Sequence, residues 1–480
     1  MAVMIHPFGP KPHALAEINP VNCTGCGICA MWCVMRCIDQ QPDGIYKVRS
    51  EDCIGCRSCK VNCPSEAVTM LPPRREVCAV KKTTVKKDLP LGLYIHIPFC
   101  RSKCAYCDFY SLPDSESRMD DYCHALERHL AEVAPQASCH LVDTVYFGGG
   151  TPSYLGFERL CRLLGTVKKL YKVDKNAEIT LEANPDSVGD KKVLRCLRRA
   201  GFNRLSLGVQ SSDDKMLRAM GRVHTWQQAC DAVAAARKAG FKNISLDLIY
   251  GLPGQTMEQW ENTLSDAVGL QPEHLSCYGL KLEEGTPLYS RREELTFPNE
   301  EQQADMYLYT VEFLKQCGYE QYEISNFAKP GFASRHNLKY WLLQEYAGFG
   351  PGAYSDFGNV RYGYVRDLDA YLKGELRLQE SETVDPDERE REYLMLRLRT
   401  TRGIDPKEFA YRFRQRFDPL AALLRRCAGQ GLAEEDAGGW HLTPKGFLVS
   451  NEIIAQLQNE LAREKNRRLE AAARGDYRMV

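Results

Sequence analysis

The chain lacks any excess of one charge. Its 480 residues hold 63 Lys and Arg against 63 Asp and Glu, so bulk electrostatics favour no polyanionic partner and no nucleic acid. It also lacks a run of about 18 uninterrupted apolar residues, so no transmembrane helix is expected. The opening residues MAVMIHPFGPKPH contain no apolar core of a secretory signal, which predicts a cytoplasmic protein. A hydrophobic content of 44% with 26% charged residues excludes wholesale disorder. Cysteine, by contrast, is abundant at 21 residues. Without an export signal, metal or iron-sulfur ligation explains that number better than disulfides do.

The cysteines are clustered. Cys23, Cys26, Cys29 and Cys33 are spaced C-x2-C-x2-C-x3-C, and the pattern returns as Cys53, Cys56, Cys59 and Cys63, followed by Pro64. Three closely spaced thiolates can hold three corners of a cubane, while the fourth cysteine of each run ligates the other cluster. One 4Fe-4S cluster is therefore expected on Cys23, Cys26, Cys29 and Cys63, and a second on Cys53, Cys56, Cys59 and Cys33. The alternative, a pair of zinc sites, usually pairs two C-x2-C knuckles across a longer loop. Over about 55 residues this segment resembles the bacterial two-cluster ferredoxins, which implies an α+β ferredoxin-like domain over 1–72. Two departures are Val34 in place of a proline after Cys33, and Cys37 at the position matching Ala67, where a small buried residue is expected.

A proline- and lysine-bearing stretch over 73–90 reads as a solvated linker. From residue 91 the runs LYIHIPF, TVYFGG, EITLEANP, RLSLGVQS, ISLDLIYGLPG and HLSCYGL alternate with segments of helical periodicity. This is an α/β pattern, a parallel sheet with crossover helices, and six such strands predict a partial (β/α) barrel over 91–370. Polar and glycine-rich residues recur at the ends of the strands, where such a barrel places its chemistry. Over 371–458, helical segments and a hairpin suggest a small winged-helix-like domain. Glu434, Glu435 and Asp436 in its wing oppose a nucleic-acid role. Residues 459–480 read as a charged helical tail.

Directly after the first barrel strand, Cys100, Cys104 and Cys107 form C-x3-C-x2-C. Three thiolates leave one iron of a cubane open to a small molecule, which marks reaction rather than structure. Here the chain resembles the radical S-adenosylmethionine (SAM) superfamily, in which the open iron chelates SAM and one-electron reduction cleaves it to a 5′-deoxyadenosyl radical. Over about 350 residues it resembles one branch of that superfamily, the oxygen-independent coproporphyrinogen III oxidases and their relatives. That resemblance implies SAM contacts at Tyr94, Tyr106, Gly149, Gly150, Thr151, Glu182, Gln210, Arg222 and Asp247. A simpler reading of Glu182, Gln210 and Asp247 is that they cap helices.

Within this branch the decarboxylating oxidases carry a fourth cysteine two positions after the third ligand, and Phe109 stands there. The CDFYS and HNLKYW segments resemble instead the heme chaperone family of the branch. Eleven cysteines supplying four, four and three ligands predict three 4Fe-4S clusters, and the resemblance implies SAM and heme as further cofactors. It further implies an external electron donor, and delivery of heme to other proteins, membrane-bound respiratory enzymes among them. SAM cleavage without coproporphyrinogen oxidase activity is expected. His336 is the candidate axial heme ligand, with Tyr340 and Trp341 as apolar faces. The alternatives are a porphyrinogen-decarboxylating oxidase and an anaerobic heme-degrading methyltransferase.

Overall fold

The computed structural model describes residues 15–33, 35–50, 53, 57–71 and 88–473. They fall into two compact units. One holds the described residues of Lys86–Arg389 and Arg399–Thr401, and the other those of Met1–Val85, Glu390–Leu398 and Arg402–Val480.

In the N-terminal segment, β1 (Leu15–Ile18) pairs antiparallel with β4 (Val68–Leu71), and β2 (Ile38–Gln40) pairs antiparallel with β3 (Tyr46–Val48). Two single-turn helices, Ile28–Met31 and Ser58–Val61, carry Cys29 and Cys59 into a small core with Ile18, Ile38 and Val68. Each helix is preceded by a residue in the left-handed conformation, Gly27 and Arg57, and positive φ returns at Arg36 and Glu66. Matching backbone turns therefore accompany the matching cysteine spacing.

The larger unit is built on six parallel strands in chain order: β5 (Leu89–Ile97), β6 (His140–Gly149), β7 (Val173–Ala183), β8 (Arg204–Gln210), β9 (Ile244–Tyr250) and β10 (His274–Gly279). Helices Met119–Val133, Phe157–Leu170, Lys191–Ala200, Trp226–Ala239 and Met257–Gly269 cross between them. Successive residues of a strand point to opposite faces. Leu93, Ile95, Val145, Phe147, Leu181, Leu205, Leu207, Leu246 and Leu248 pack with apolar residues of those helices into one continuous core.

The intervening residues are polar: Tyr94 and His96, Tyr146, Glu178, Thr180 and Glu182, Arg204 and Ser206, Ser245 and Asp247, His274 and Ser276. They meet one another on the concave side, through pairs such as Tyr146–Glu182 and Ser206–Asp247. Most βα barrels fill this space with branched apolar side chains. A polar lining suits a polar ligand instead.

The sheet does not end with these six. Chain residues 320–328 supply β11 (Glu320–Glu323) and β12 (Asn326–Ala328), the latter antiparallel to β10. On the other side β13 (Tyr346–Phe349) lies parallel to β5, and β14 (Tyr354–Phe357), β15 (Val360–Tyr364) and β16 (Leu378–Thr383) continue as an antiparallel meander. The result is a twelve-stranded sheet whose parallel part forms the partial barrel. It runs on to Thr383, later than the boundary at 370 expected from the sequence.

Beyond it come helices Pro386–Arg397, Pro406–Phe413 and Asp418–Gly429, then the hairpin of β17 (Ala433–Asp436) and β18 (Gly439–Leu442). Glu434, Glu435 and Asp436 are exposed on that hairpin. Helices Pro444–Leu448 and Ser450–Ala473 follow. Among the described residues no helix is long and apolar enough to cross a membrane.

Candidate functional site

The loop after β5 carries the three-cysteine motif. Its base is pinned by the Cys100 amide donating to the Leu112 carbonyl (3.1 Å) and the Leu112 amide donating to Pro98 (2.6 Å). Further along, the Ala105 amide donates to Met220, and the Leu288 amide donates to Ala105. Cys100 and Cys104 lie near enough to act on Cys107, whose thiol is raised chiefly by burial. This donor set fits a cubane held at three corners.

A chain of hydrogen bonds links two of these cysteines. The Arg222 guanidinium donates to Cys104 Sγ (3.4 Å), to Asn184 Oδ1 (2.7 Å) and to the Gly208 carbonyl. Asn184 Nδ2 donates to Thr151 Oγ1 (3.3 Å), and Thr151 Oγ1 lies 3.4 Å from Cys100 Sγ. A cation beside a ligand thiolate stabilises its charge. Arg222, in a loop with little local signal, is thus drawn to the cluster loop by its side chain. Asn184 was missed in the sequence, where the LEANP run drew attention only to Glu182.

The glycine run after β6 packs closely against its surroundings. The Gly149 amide donates to Glu182 Oε2 (3.1 Å), while those of Gly150 and Thr151 donate to the carbonyls of Ile97 and Phe99 (2.8 Å each). All three amides are used inside the protein. A Cβ on Gly150 would stand 2.8 Å from Phe99 O and 3.0 Å from Cys100 Sγ, and one on Gly149 would meet the His96 ring at 2.7 Å. The run lacks side chains so that β6 can press against the cluster loop.

Glu182 accepts from Tyr146 Oη at 2.6 Å, and burial, with Asp247 nearby, pushes its carboxyl up to about 7. Asp247 accepts from Ser276 (2.7 Å) and Ser206 (3.1 Å), and burial raises it as well. Neither caps a helix: the adjoining helix caps are Asp190, Asp213, Thr225 and Thr256. Gln210 has φ +69°, a left-handed value uncommon for a residue other than glycine, at the C-terminal end of β8. Tyr94 bonds His96 Nδ1 (3.1 Å), whose other nitrogen bonds the Tyr110 carbonyl (3.0 Å). Burial takes His96 down to about 4, so the imidazole is neutral. His96, Tyr110 and Tyr146 also escaped sequence reasoning, although alternation within LYIHIPF put His96 on Tyr94's face. Tyr106 stands half-buried near Arg222, Cys104 and Cys107.

Deeper in the barrel, Arg204 Nε and Nη1 and Thr180 Oγ1 are buried without a hydrogen-bond partner among the described residues. They are register neighbours on β8 and β7. Such donors are what a polar ligand or ordered water satisfies.

His336 lies at the lower end of the same polar interior, its ring centroid 5.1 Å from that of Tyr146 and 6.5 Å from that of Tyr94. Its helix, Arg335–Trp341, packs against the N-terminal halves of β5, β6 and β7, with Lys339 Nζ 2.7 Å from Asp143 and the His336 amide donating to Glu178 (3.0 Å). The ring is 1% exposed, and both nitrogens are engaged, Nδ1 with Thr144 (2.8 Å) and Nε2 with Tyr340 (2.9 Å). Thr144 precedes Gly148 by four residues, about 13 Å along the strand. The structure therefore does not bring His336 to the cluster loop.

In the N-terminal segment, Cys56 lies outside the described residues. Cys29 is pushed up to about 11 by burial and by its neighbours Cys23, Cys26 and Cys63. Cys33 has Cys53 as a neighbour. Cys63 thus lies near a cysteine of the first run, and Cys33 near one cysteine of the second.

The comparisons bear on the barrel and the C-terminal domain. The Radical SAM superfamily model matches residues 94–267, and the HemN C-terminal domain model matches residues 384–449. The Heme chaperone HemW of Bacillus subtilis is 37% identical over 77% of this chain and 99% of its own length. That of Escherichia coli is 35% identical over 76% of this chain and 97% of its own length. The solved structure of the E. coli coproporphyrinogen III oxidase HemN, titled a radical SAM enzyme, superposes with a TM-score of 0.68 at 27% identity, over 77% of this chain and 90% of that one. With relatives of this identity covered almost end to end, the chain belongs to the HemW family of the radical SAM superfamily.

Proposed function

We propose that the protein is a heme chaperone: it binds heme and passes it to other proteins, and it binds SAM at the barrel cluster without decarboxylating coproporphyrinogen. The observation that carries this reading is Phe109. It stands 64% exposed beside the cluster cysteines, where the resembling oxidases have a further cysteine. Phenylalanine can neither move a proton nor ligate iron, but an exposed ring beside the barrel mouth offers a flat apolar face to a macrocycle. Val223 and Tyr278, also at the C-terminal ends of barrel strands or the loops after them, are exposed as well.

Cys100, Cys104 and Cys107 would hold the barrel cluster, which when bound supplies an electron to SAM. Arg222 and Thr151 support the thiolates, while Glu182, Gln210 and Asp247 line the polar interior where SAM would lie. The N-terminal cysteines would hold two further clusters, Cys23, Cys26, Cys29 and Cys63 one, and Cys53, Cys56, Cys59 and Cys33 the other, as a built-in electron relay. An external reductant would load that relay. For His336 to serve as the axial heme ligand, it must give up its bond to Thr144 or Tyr340.

The test is anaerobic reconstitution, heme titration and product analysis with SAM and coproporphyrinogen. A Soret band that saturates with heme, with no protoporphyrinogen formed, is expected. Conversion of coproporphyrinogen would overturn the reading in favour of an oxidase. Given its internal hydrogen bonds, His336→Ala is expected to leave the Soret band in place, and a shifted band would make His336 the ligand.

A further inference from the structure

We propose that the thiol of Cys37 donates a hydrogen bond to the ligand sulfur of Cys33 and so raises the reduction potential of the cluster held by Cys33 and Cys53. The inference rests on the two-cluster reading of the N-terminal segment.

The repeat supplies its own control. Cys37 and Ala67 follow the fourth cysteine of their runs by the same interval, and each sends its backbone amide to that cysteine: Cys37 N to Cys33 Sγ at 3.3 Å, and Ala67 N to Cys63 Sγ at 3.3 Å. The backbone therefore treats both positions alike. The difference is one sulfur atom, which lies 3.4 Å from Cys33 Sγ and also within hydrogen-bonding reach of Cys53. Cys33 and Cys53 belong to the same expected cluster. Cys37 is 2% exposed, so bulk water does not compete for the contact. In the other half, Ser65 Oγ approaches Cys63 Sγ at 3.6 Å, but both residues are more open to solvent there.

Adding an electron makes a cluster and its thiolates more negative. A donor to a ligand sulfur stabilises the reduced form more than the oxidised one and raises the potential. The thiol is a weak donor, so the effect is modest. At a fixed potential it amounts to a few-fold to about tenfold in the ratio of reduced to oxidised cluster, tenfold being about 59 mV for one electron.

The experiment is a redox titration of the full reconstituted protein, followed by electron paramagnetic resonance, on the parent and on Cys37→Ala, Cys37→Val and Cys37→Ser. Iron is counted in each. Alanine removes the donor, valine removes it while filling the space, and serine keeps one. Full iron content is expected throughout. The midpoint of one cluster should fall in the alanine and valine variants, hold in the serine variant, and leave the remaining clusters unmoved. Unchanged midpoints in the alanine and valine variants with full iron would overturn the proposal while leaving the two-cluster reading intact. Loss of one cluster in all three would make Cys37 a ligand, which also overturns it. A parent protein with only about four irons would remove the premise and show that the two-cluster reading is what failed.

Discussion

The two cysteine-bearing regions set the same kind of donor in different surroundings. In the N-terminal segment each expected cluster has four thiolates, and Cys29, Cys33 and Cys59 are buried with Ile18, Ile38, Ala67 and Val68, while backbone amides reach Cys33 and Cys63. In the barrel there are three thiolates, and around them stand Arg222, Thr151, Asn184 and a polar interior reaching down to Arg204. A full coordination shell in an apolar pocket suits storing and passing electrons. An incomplete shell beside a polar chamber suits binding something to iron. On the proposed reading, the number of ligands and the polarity of the wall, more than the cysteine count, would separate relay from reaction.

The sharpest way to break this contrast is Cys104→Ala. It should abolish SAM cleavage and lower bound iron from about twelve to about eight per chain, since four irons leave with the barrel cluster. Iron analysis and detection of 5′-deoxyadenosine check it. Loss of all the iron would mean that the two regions do not assemble their clusters independently.

Gly150→Ala attacks the same site without touching a ligand. Its Cβ would press on Phe99 O and Cys100 Sγ, so the loop must shift by tenths of an ångström. A fall in SAM cleavage of about a hundredfold is expected, with the signals of the N-terminal clusters retained. Parent activity in this variant would show that the loop tolerates what the packing forbids.

Cys29→Ala probes the other region. The barrel cluster should persist, and SAM cleavage driven by dithionite should match the parent. With a weak protein reductant the rate should drop about tenfold, because a tethered donor acts at an effective concentration near the millimolar range. Equal rates under both reductants would remove the relay role.

The smallest effect is expected from Arg222→Lys. A lysine keeps the charge but cannot span Cys104, Asn184 and Gly208 together, so the KM for SAM should rise about fivefold with the iron content intact. Steady-state kinetics would show it, and an unchanged KM would leave Arg222 a purely structural role.

What the sequence disclosed, and what it hid, follows the same division. Cysteine spacing is local, so both cysteine patterns stand out in the sequence, as do the six strands from LYIHIPF to HLSCYGL. Their alternation could also have been read as an inward polar face, since Tyr94 and His96, or Glu178, Thr180 and Glu182, differ by two positions. What tertiary folding alone reveals is which distant segments meet. His336 and Thr144 are 192 positions apart and bond through their side chains, which seats the HNLKYW helix against the barrel. Asn184 and Arg222 likewise join the cluster loop from other strands' ends. The later strands β13 to β16 were missed because runs such as YAGF and YSDF are too short for periodicity to distinguish from loop.

The contrast between closed and open sites is tested most directly by electron paramagnetic resonance of the fully reduced, reconstituted protein with and without SAM. The account requires SAM to change the spectrum of one cluster, the one missing from Cys104→Ala, and to leave the others as they were. A SAM-induced change that survives in Cys104→Ala, or no change in the parent protein at all, would contradict it.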